Sequence, residues 1–537
     1  MILNITKIAK KVSALLLVFV CGAALCLGQE DSEVKEIQRF TIIEPVREHE
    51  LNPQVTSYSS DAQLLTGLYE GLFTYDPVSL SPLYAIATDY RISRDKKRWT
   101  FTINPNACFS NGEKITAAHV RDSWLSLLSN PDAPYASLLD VIVGAQAYRM
   151  GKGRAEDVGI YANTESSLSI HLVKPANYLP KVLCHSAFSV VHRNPTVYSG
   201  PFYLDDMESS YYLLKKNNYY WDKDNVPLDE IVFFQCDDAI ENAFYFNTGL
   251  ADWITADVDT SVLINKNAFR YNAEFATSYY FFKASDSVWG LPEFRAALLE
   301  AIPWDELRKD FYVPAQTFVY PLAGYPSIDG YSYTDAAEAK NLMQAAREKY
   351  GIEKDKTLVL LFEMPENAVS TERLALLSDA WAPLGVELQI RVKKSYEYYG
   401  NVKNSDADLF VYTWIGDFAD PLAFLELFRG DSTLNDSLWK NEEYDRLIDQ
   451  AAQANEDERI RLLGLAETIL LDNCMVIPVH HPIITNIIDK TTAGGWTENA
   501  FDIHPLKYLY KKPETSTVPN IVKKNDEKEI VNINKID

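Results

Sequence analysis

A mixed α/β protein is the fold class this sequence predicts, and three observations predict it. The runs Lys356 to Phe362 (KTLVLLF) and Val386 to Val392 (VELQIRV) read as strands flanking a helix from about Thr371 to Trp381, a β-α-β pattern. Short segments rich in β-branched and aromatic residues recur through the first half of the chain. Helical spacing dominates much of the second half.

In chain order, Phe40-Thr41-Ile42-Ile43 is the first predicted strand, followed by Trp99-Thr100-Phe101-Thr102-Ile103 and Leu168-Ser169-Ile170-His171-Leu172. Ile231-Val232-Phe233-Phe234 is the fourth strand read in this way. Pro292 to Glu300 has helical spacing, and Pro292 suits a first helical position, where its missing N–H costs nothing. Tyr444 to Gln453 and Glu456 to Leu471 carry the same spacing. No internal repeat or low-complexity block interrupts the pattern. The tail Pro513 to Asp537 is rich in Lys, Asn, Asp and Glu, lacks aromatics, and is expected to be mobile.

Composition bounds the function. The 537 residues allow three or four structural units, at about 150 residues each. Hydrophobic residues make up 47% and charged residues 23%, which argues against disorder. The net charge of -24 has the wrong sign for an electrostatic nucleic-acid binder, so that class is set aside.

The N-terminus predicts export. Lys7, Lys10 and Lys11 precede an apolar run from Val12 to Leu27, then small residues and polar Gln29-Glu30-Asp31. The run is shorter than the ~20 residues of a spanning helix, so residues 1–28 read as a secretory signal and the mature chain as soluble. Two outcomes stay open: lipid attachment at Cys26, which would tether the chain to the membrane, and ordinary cleavage after Gly28. Cys108, Cys184, Cys236 and Cys474 are widely spaced without a C-x-x-C pair, which excludes a zinc ribbon. Both free thiols and disulfides fit them.

Catalytic motifs are absent. There is no G-x-S-x-G elbow and no H-E-x-x-H helix. Gly144 with Gly151-Lys152 mimics a phosphate loop, but the spacing is too long and Gly153 replaces the Ser/Thr that would hold Mg²⁺. Asp222-Lys223-Asp224 resembles a calcium loop, yet Pro227 sits where the sharp turn needs Gly. His480-His481 point to opposite faces of a strand and read as a structural pair. No metal, cofactor or enzymatic activity is expected.

Several segments together carry a family resemblance. They are Leu68 to Pro77 (LYEGLFTYDP) with Pro82-Leu83-Tyr84-Ala85, then Trp99-Thr100-Phe101 leading to Phe109-Ser110-Asn111-Gly112-Glu113 and Thr116 to Val120. Pro134-Tyr135-Ala136-Ser137, Lys216 to Trp221 (KNNYYW), Trp414 to Pro421 (WIGDFADP) and Tyr444-Asp445-Arg446-Leu447-Ile448 follow in order. The ordered set, from about residue 38 to 510, resembles the extracytoplasmic oligopeptide-binding (OppA-like) proteins of ABC importers, family 5 of the solute-binding proteins. The resemblance implies a two-lobe periplasmic-binding-protein-like fold, type II in its large three-part form, with hinge strands and a cleft that closes on ligand. It implies a lobe I core from 29–67, 190–283 and 480–512, an appended subdomain over 68–189, and lobe II over 284–479. It further implies a monomeric receptor that hands short peptides to a membrane permease with its partner ATPase. Relatives that bind dipeptides, murein peptides, nickel complexes or haem are the alternatives within the family. A secreted hydrolase and a surface interaction protein are those outside it.

The site follows from the resemblance. Asp417 matches the carboxylate that receives a ligand's free α-ammonium, a charge-assisted bond about twice as strong as a neutral one. Thr413, Trp414 and Ile415 match the segment whose backbone pairs with the peptide as an added strand, a mode blind to side-chain identity. Trp414 is expected to wall a pocket, and Tyr135 matches a tyrosine facing the cleft. This chain also departs from the pattern. Val411 stands where some members carry an arginine near the ligand, Thr277 and Ile415 replace a disulfide pair, and His480-His481 replace aromatic residues.

Overall fold

The computed structural model describes residues 37–322, 324–416, 418 and 420–513. The predicted signal, Cys26, Asp417 and nearly all of the tail thus lie outside the described residues. From Gln38 onward the chain forms one compact unit.

Three main sheets carry the fold. A seven-stranded sheet has the order Phe269–Ala273, Ile483–Ile488, Trp253–Ile254, Arg39–Glu44, Glu230–Gln235, Tyr211–Lys216 and Phe202–Glu208. Arg39–Glu44 runs parallel to both of its neighbours. Glu230–Gln235 is buried at every position, in place of the one-sided burial that an alternating strand implies, because both of its faces are covered. A four-stranded antiparallel sheet, Ala87–Ile92, Arg98–Ile103, Ser167–His171 and Ile160–Thr164, packs beneath the helix Ala117–Ser129.

The third sheet positions the site. Its order is Val386–Lys393, Leu358–Pro365, Leu409–Ile415, Ala276–Phe282 and Val476–His480. Leu358–Pro365 and Val386–Lys393 pair in parallel, joined by the helix Thr371–Trp381, as the sequence pattern predicts. Ser370 begins this helix, its hydroxyl accepting from the Arg373 N–H at 3.4 Å. Gly385 ends the connection with φ +73°, a conformation that a side chain would strain.

The other predicted elements are present as Arg39–Glu44, Arg98–Ile103, Ser167–His171, Glu230–Gln235, Pro292–Ala301, Glu442–Ala451 and Glu456–Asp472. The four described cysteines are all free thiols. Among the described residues no helix is long and apolar enough to cross a membrane.

The chain passes from the seven-stranded to the five-stranded sheet between Ala273 and Ala276, and returns between His480 and Ile483. These two crossings lie side by side, the Glu274 N–H donating to Pro482 O at 3.0 Å. The seven-stranded sheet has its own buried apolar cluster, centred on Phe40, Ile42, Trp253 and Phe233. A second cluster runs continuously from the four-stranded sheet, through Trp99 and Leu139, to Phe281 and Phe362 of the five-stranded sheet.

Candidate functional site

The strand Leu409–Ile415 leaves the core as it runs. Leu409, Phe410 and Val411 are buried, while Thr413 is exposed. One edge pairs along its whole length with Ala276–Phe282, from Leu409 opposite Phe282 to Ile415 opposite Ala276. The other edge meets Leu358–Pro365 only where Leu409 faces Phe362. Beyond Val411 this edge has no backbone partner among the described residues.

Tyr398 shows which groups face this edge. Its hydroxyl accepts from the Val411 N–H and donates to Val411 O, both at 2.9 Å. An antiparallel strand turns its hydrogen-bonding groups alternately to its two sides. The N–H and C=O of Thr413 and Ile415 therefore face the same side as those of Val411. The Gly416 N–H, one step later, donates back to Phe275 O at 2.7 Å, as that alternation requires.

Thr413 and Ile415, two residues predicted for ligand pairing, are thus brought to the open edge. Trp414 turns to the opposite face, where its indole N–H donates to Ala423 O at 2.8 Å and anchors the segment after the strand. Thr277 sits opposite Trp414 and Ile415 opposite Ala276. In place of a disulfide, the buried Thr277 hydroxyl meets His481 Nδ1 at 3.1 Å. Tyr135 is only 1% exposed, its ring 4.3 Å from that of His185. Asp417 lies outside the described residues, but both flanks of its segment are held. Gly416 packs so closely on Phe275 that a Cβ there would lie 2.3 Å from the ring. On the far side Asp420 forms a two-pronged pair with Arg459 at 2.6 and 2.7 Å.

Beside the open edge lies a cavity of about 270 Å³. Val411 and Thr413 line it together with their cross-strand partners Tyr280 and Ser278. His480 and Phe311 form a further wall, their rings parallel at 3.7 Å. The Arg373 guanidinium lies over the same Phe311 ring at 4.8 Å. Burial pushes His480 down to about 4, with Arg373 and His481 adding to the effect, so the ring is neutral at pH 7. Burial pushes the Tyr280 hydroxyl up to about 12 against the opposing pull of Arg373.

His481 faces the other way and donates from Nδ1 to Ala276 O at 2.9 Å, so the two histidines divide between faces as the strand periodicity predicts. Sequence reasoning missed Arg373, Tyr280, Ser278 and Phe311. They carry no motif: sheet register brings in Tyr280 and Ser278, and the packing of the helix Thr371–Trp381 and of the segment at Phe311 brings in the other two. Among the described residues no group of three or more His, Cys, Asp or Glu side chains could hold a metal ion.

The family profile described as bacterial extracellular solute-binding proteins, family 5 Middle, matches residues 81–436. The chain is similar to the dipeptide-binding protein DppE of Bacillus subtilis (strain 168), 27% identical over 452 residues, covering 78% of this chain and 82% of that protein. It is also similar to the oligopeptide-binding protein OppA of the same organism, 26% identical over 501 residues, covering 87% and 91% of the two chains. Among solved structures it resembles the Escherichia coli murein tripeptide binding protein MppA, with a TM-score of 0.77 and 22% identity, covering 90% of this chain and 100% of that one. That last likeness is one of fold.

Proposed function

Because the chain belongs to the bacterial extracellular solute-binding proteins of family 5, we propose that its solute is a short peptide, held in a cleft between two lobes and delivered intact to an ABC permease. The observation that carries this reading is the open edge of Leu409–Ile415. An extended peptide laid there completes the ladder with backbone bonds alone, so affinity does not depend on one side-chain sequence. The names of the similar DppE and OppA proteins support the same ligand class.

In this reading the lobes meet at the paired crossings near 274–275 and 481–482. Lobe II then begins with Ala276–Phe282, a few residues before the boundary the sequence suggests, because that strand belongs to the five-stranded sheet. Asp417 takes the peptide's α-ammonium, and closing the cleft over an empty site leaves that carboxylate buried without its partner. Asp417→Asn is expected to weaken binding of peptides with a free N-terminus by roughly tenfold or more, since a charged hydrogen bond is worth about 1.5–3 kcal/mol. N-acetylated peptides are expected to bind the wild type and the variant alike. Isothermal titration calorimetry measures both, and equal affinities for free peptides remove Asp417 from the site.

The receptor acts as an exported monomer without catalysis. Native mass spectrometry of the freshly purified protein tests the reading directly. Bound peptides of mixed mass support it, whereas an empty protein that binds no added peptide, or one that cleaves them, overturns it. Mass spectrometry of the mature N-terminus separates a lipid at Cys26 from cleavage after Gly28.

A further inference from the structure

The open edge of Leu409–Ile415 is closed at one end by a side chain. Leu358–Pro365 meets that strand only where Phe362 faces Leu409, while its last residues, Glu363 to Pro365, stay paired with Arg391 to Lys393. A fork opens between the two parallel strands, and Tyr398, from the short helix Ser395–Tyr399, reaches into it. Its hydroxyl takes the place of a neighbouring strand residue, accepting from the Val411 N–H and donating to Val411 O, each at 2.9 Å. Only the neutral hydroxyl can do both at once, and burial pushes the Tyr398 pKa upward against the opposing pull of the Val411 N–H. The ring is fixed as well. Tyr398 is fully buried, with the rings of Tyr399 at 5.1 Å and Tyr412 at 6.1 Å set edge-on to it. Past this point Thr413 and Ile415 each present one N–H and one C=O to the open side, and no backbone group among the described residues answers them there.

We propose that Tyr398 sets the length of peptide that this receptor grips, by ending the ladder at two rungs, Thr413 and Ile415. The proposal rests on the peptide reading above and deepens it. In that reading the ligand's N-terminus lies beyond Gly416, so the ligand runs antiparallel to the strand, back towards Val411. An antiparallel neighbour exchanges both of its bonds at every second residue. One ligand residue therefore pairs with Ile415, and the residue two further on pairs with Thr413. The next in that series arrives at Val411 and finds both strand groups taken by the hydroxyl, on a ring packed too closely to withdraw. The strand thus grips three consecutive ligand residues through their main chain. With its first residue at Ile415 or one rung beyond, the ligand makes its last rung with its third or fifth residue.

Calorimetry on the full mature chain would titrate alanine peptides of two to eight residues, each with a free N-terminus and an amidated C-terminus, so that only backbone length varies. Affinity is expected to climb with length and to level off by five residues, changing less than twofold from there to eight. Tyr398→Leu keeps an apolar side chain in the fork but withdraws the hydroxyl, and is expected to move the levelling point two residues further. Thr413→Pro removes only a donor that faces the open edge, a position where a strand tolerates proline. It is expected to move the levelling point two residues back, with a loss of roughly threefold to tenfold for the longer peptides. General damage to the fold cannot move the two variants in opposite directions. If wild-type affinity keeps rising beyond five residues, the ladder does not end at Tyr398, and the proposal falls while the peptide reading stands. If Tyr398→Leu weakens every length alike and leaves the levelling point in place, Tyr398 is structural and the proposal falls. An unmoved levelling point in Thr413→Pro overturns it too, so misfolding of Tyr398→Leu does not shield it. If no peptide of any length binds, the peptide reading falls with it.

Discussion

Asp417 and Asp420 stand three positions apart in one short motif, and the chemistry of Asp420 is set by what lies opposite it. Asp420 is 2% exposed, with both oxygens on Arg459, and its Oδ1 also accepts from the Leu422 N–H at 3.0 Å. The Arg459 guanidinium in turn lies over the Tyr178 ring at 5.0 Å. Removing one member of a buried pair strands the other charge, at a cost of about 3–5 kcal/mol. Asp420→Ala is therefore expected to lower the thermal unfolding midpoint markedly. An unchanged midpoint contradicts a structural role for the pair. The sequence motif marks both aspartates alike. Only the position of Arg459, 39 residues further on, marks Asp420 as an anchoring carboxylate.

At the scale of elements, the two crossings between sheets couple the site to the proposed hinge. Gly416 and Phe275 touch so closely that Gly416→Ala forces the Phe275 ring or the strand end to shift. That substitution is expected to weaken peptide binding several-fold without exposing new surface, which calorimetry and near-UV circular dichroism together would register. The neighbouring Glu274 adds a pH dependence. Its carboxyl is partly buried, and burial, reinforced by Asp502, raises it from the ordinary 4.5 to about 8. A carboxyl raised in the folded state binds its proton more tightly there than in the unfolded chain. Its stabilising contribution is full below about 4.5 and is lost as pH rises toward 8. Glu274→Gln is accordingly expected to raise the unfolding midpoint at pH 8 and to leave it nearly unchanged at pH 4.5. An equal shift at both pH values would show that the charge is not the cause.

For the molecule as a whole, polar bonds join the 134–174 region to the 426–449 region. Lys174 pairs with Asp449 at 2.6 Å, Gln146 donates to the Asp431 carboxylate, and Arg149 donates to Asp431 O at 3.0 Å. The Thr433 hydroxyl donates to Pro134 O at 2.6 Å. Beneath these bonds Leu138, Val141 and Tyr178 pack towards Leu422, Ile448 and Ala451 around a void of only about 20 Å³. Polar contacts of this kind exchange with water at modest net cost, about 0.5–1.5 kcal/mol each, and the apolar packing beneath them adds to the hold. Exchanging Gln146 and Lys174 together for alanine is expected to increase the radius of gyration of the peptide-free protein in small-angle scattering. It is also expected to weaken peptide binding. An unchanged radius would mean that these bonds do not hold the two regions together.

What the sequence determined by itself was local and ordinal: the β-α-β unit, the helix limits near Pro292 and Glu456, the division of His480 and His481 between two faces, and the ordered motifs that place the chain in its family. These depend on neighbours a few positions away, where periodicity and capping are written. The open backbone edge at Thr413 and Ile415 was decided only by tertiary structure, because it depends on Leu358–Pro365 ending its pairing at Phe362. The meeting of Arg373 with Val411, Tyr280 and His480 was decided there as well. Strand register and cavity walls join residues tens to hundreds of positions apart, and no local pattern in the chain specifies which of them will face one another.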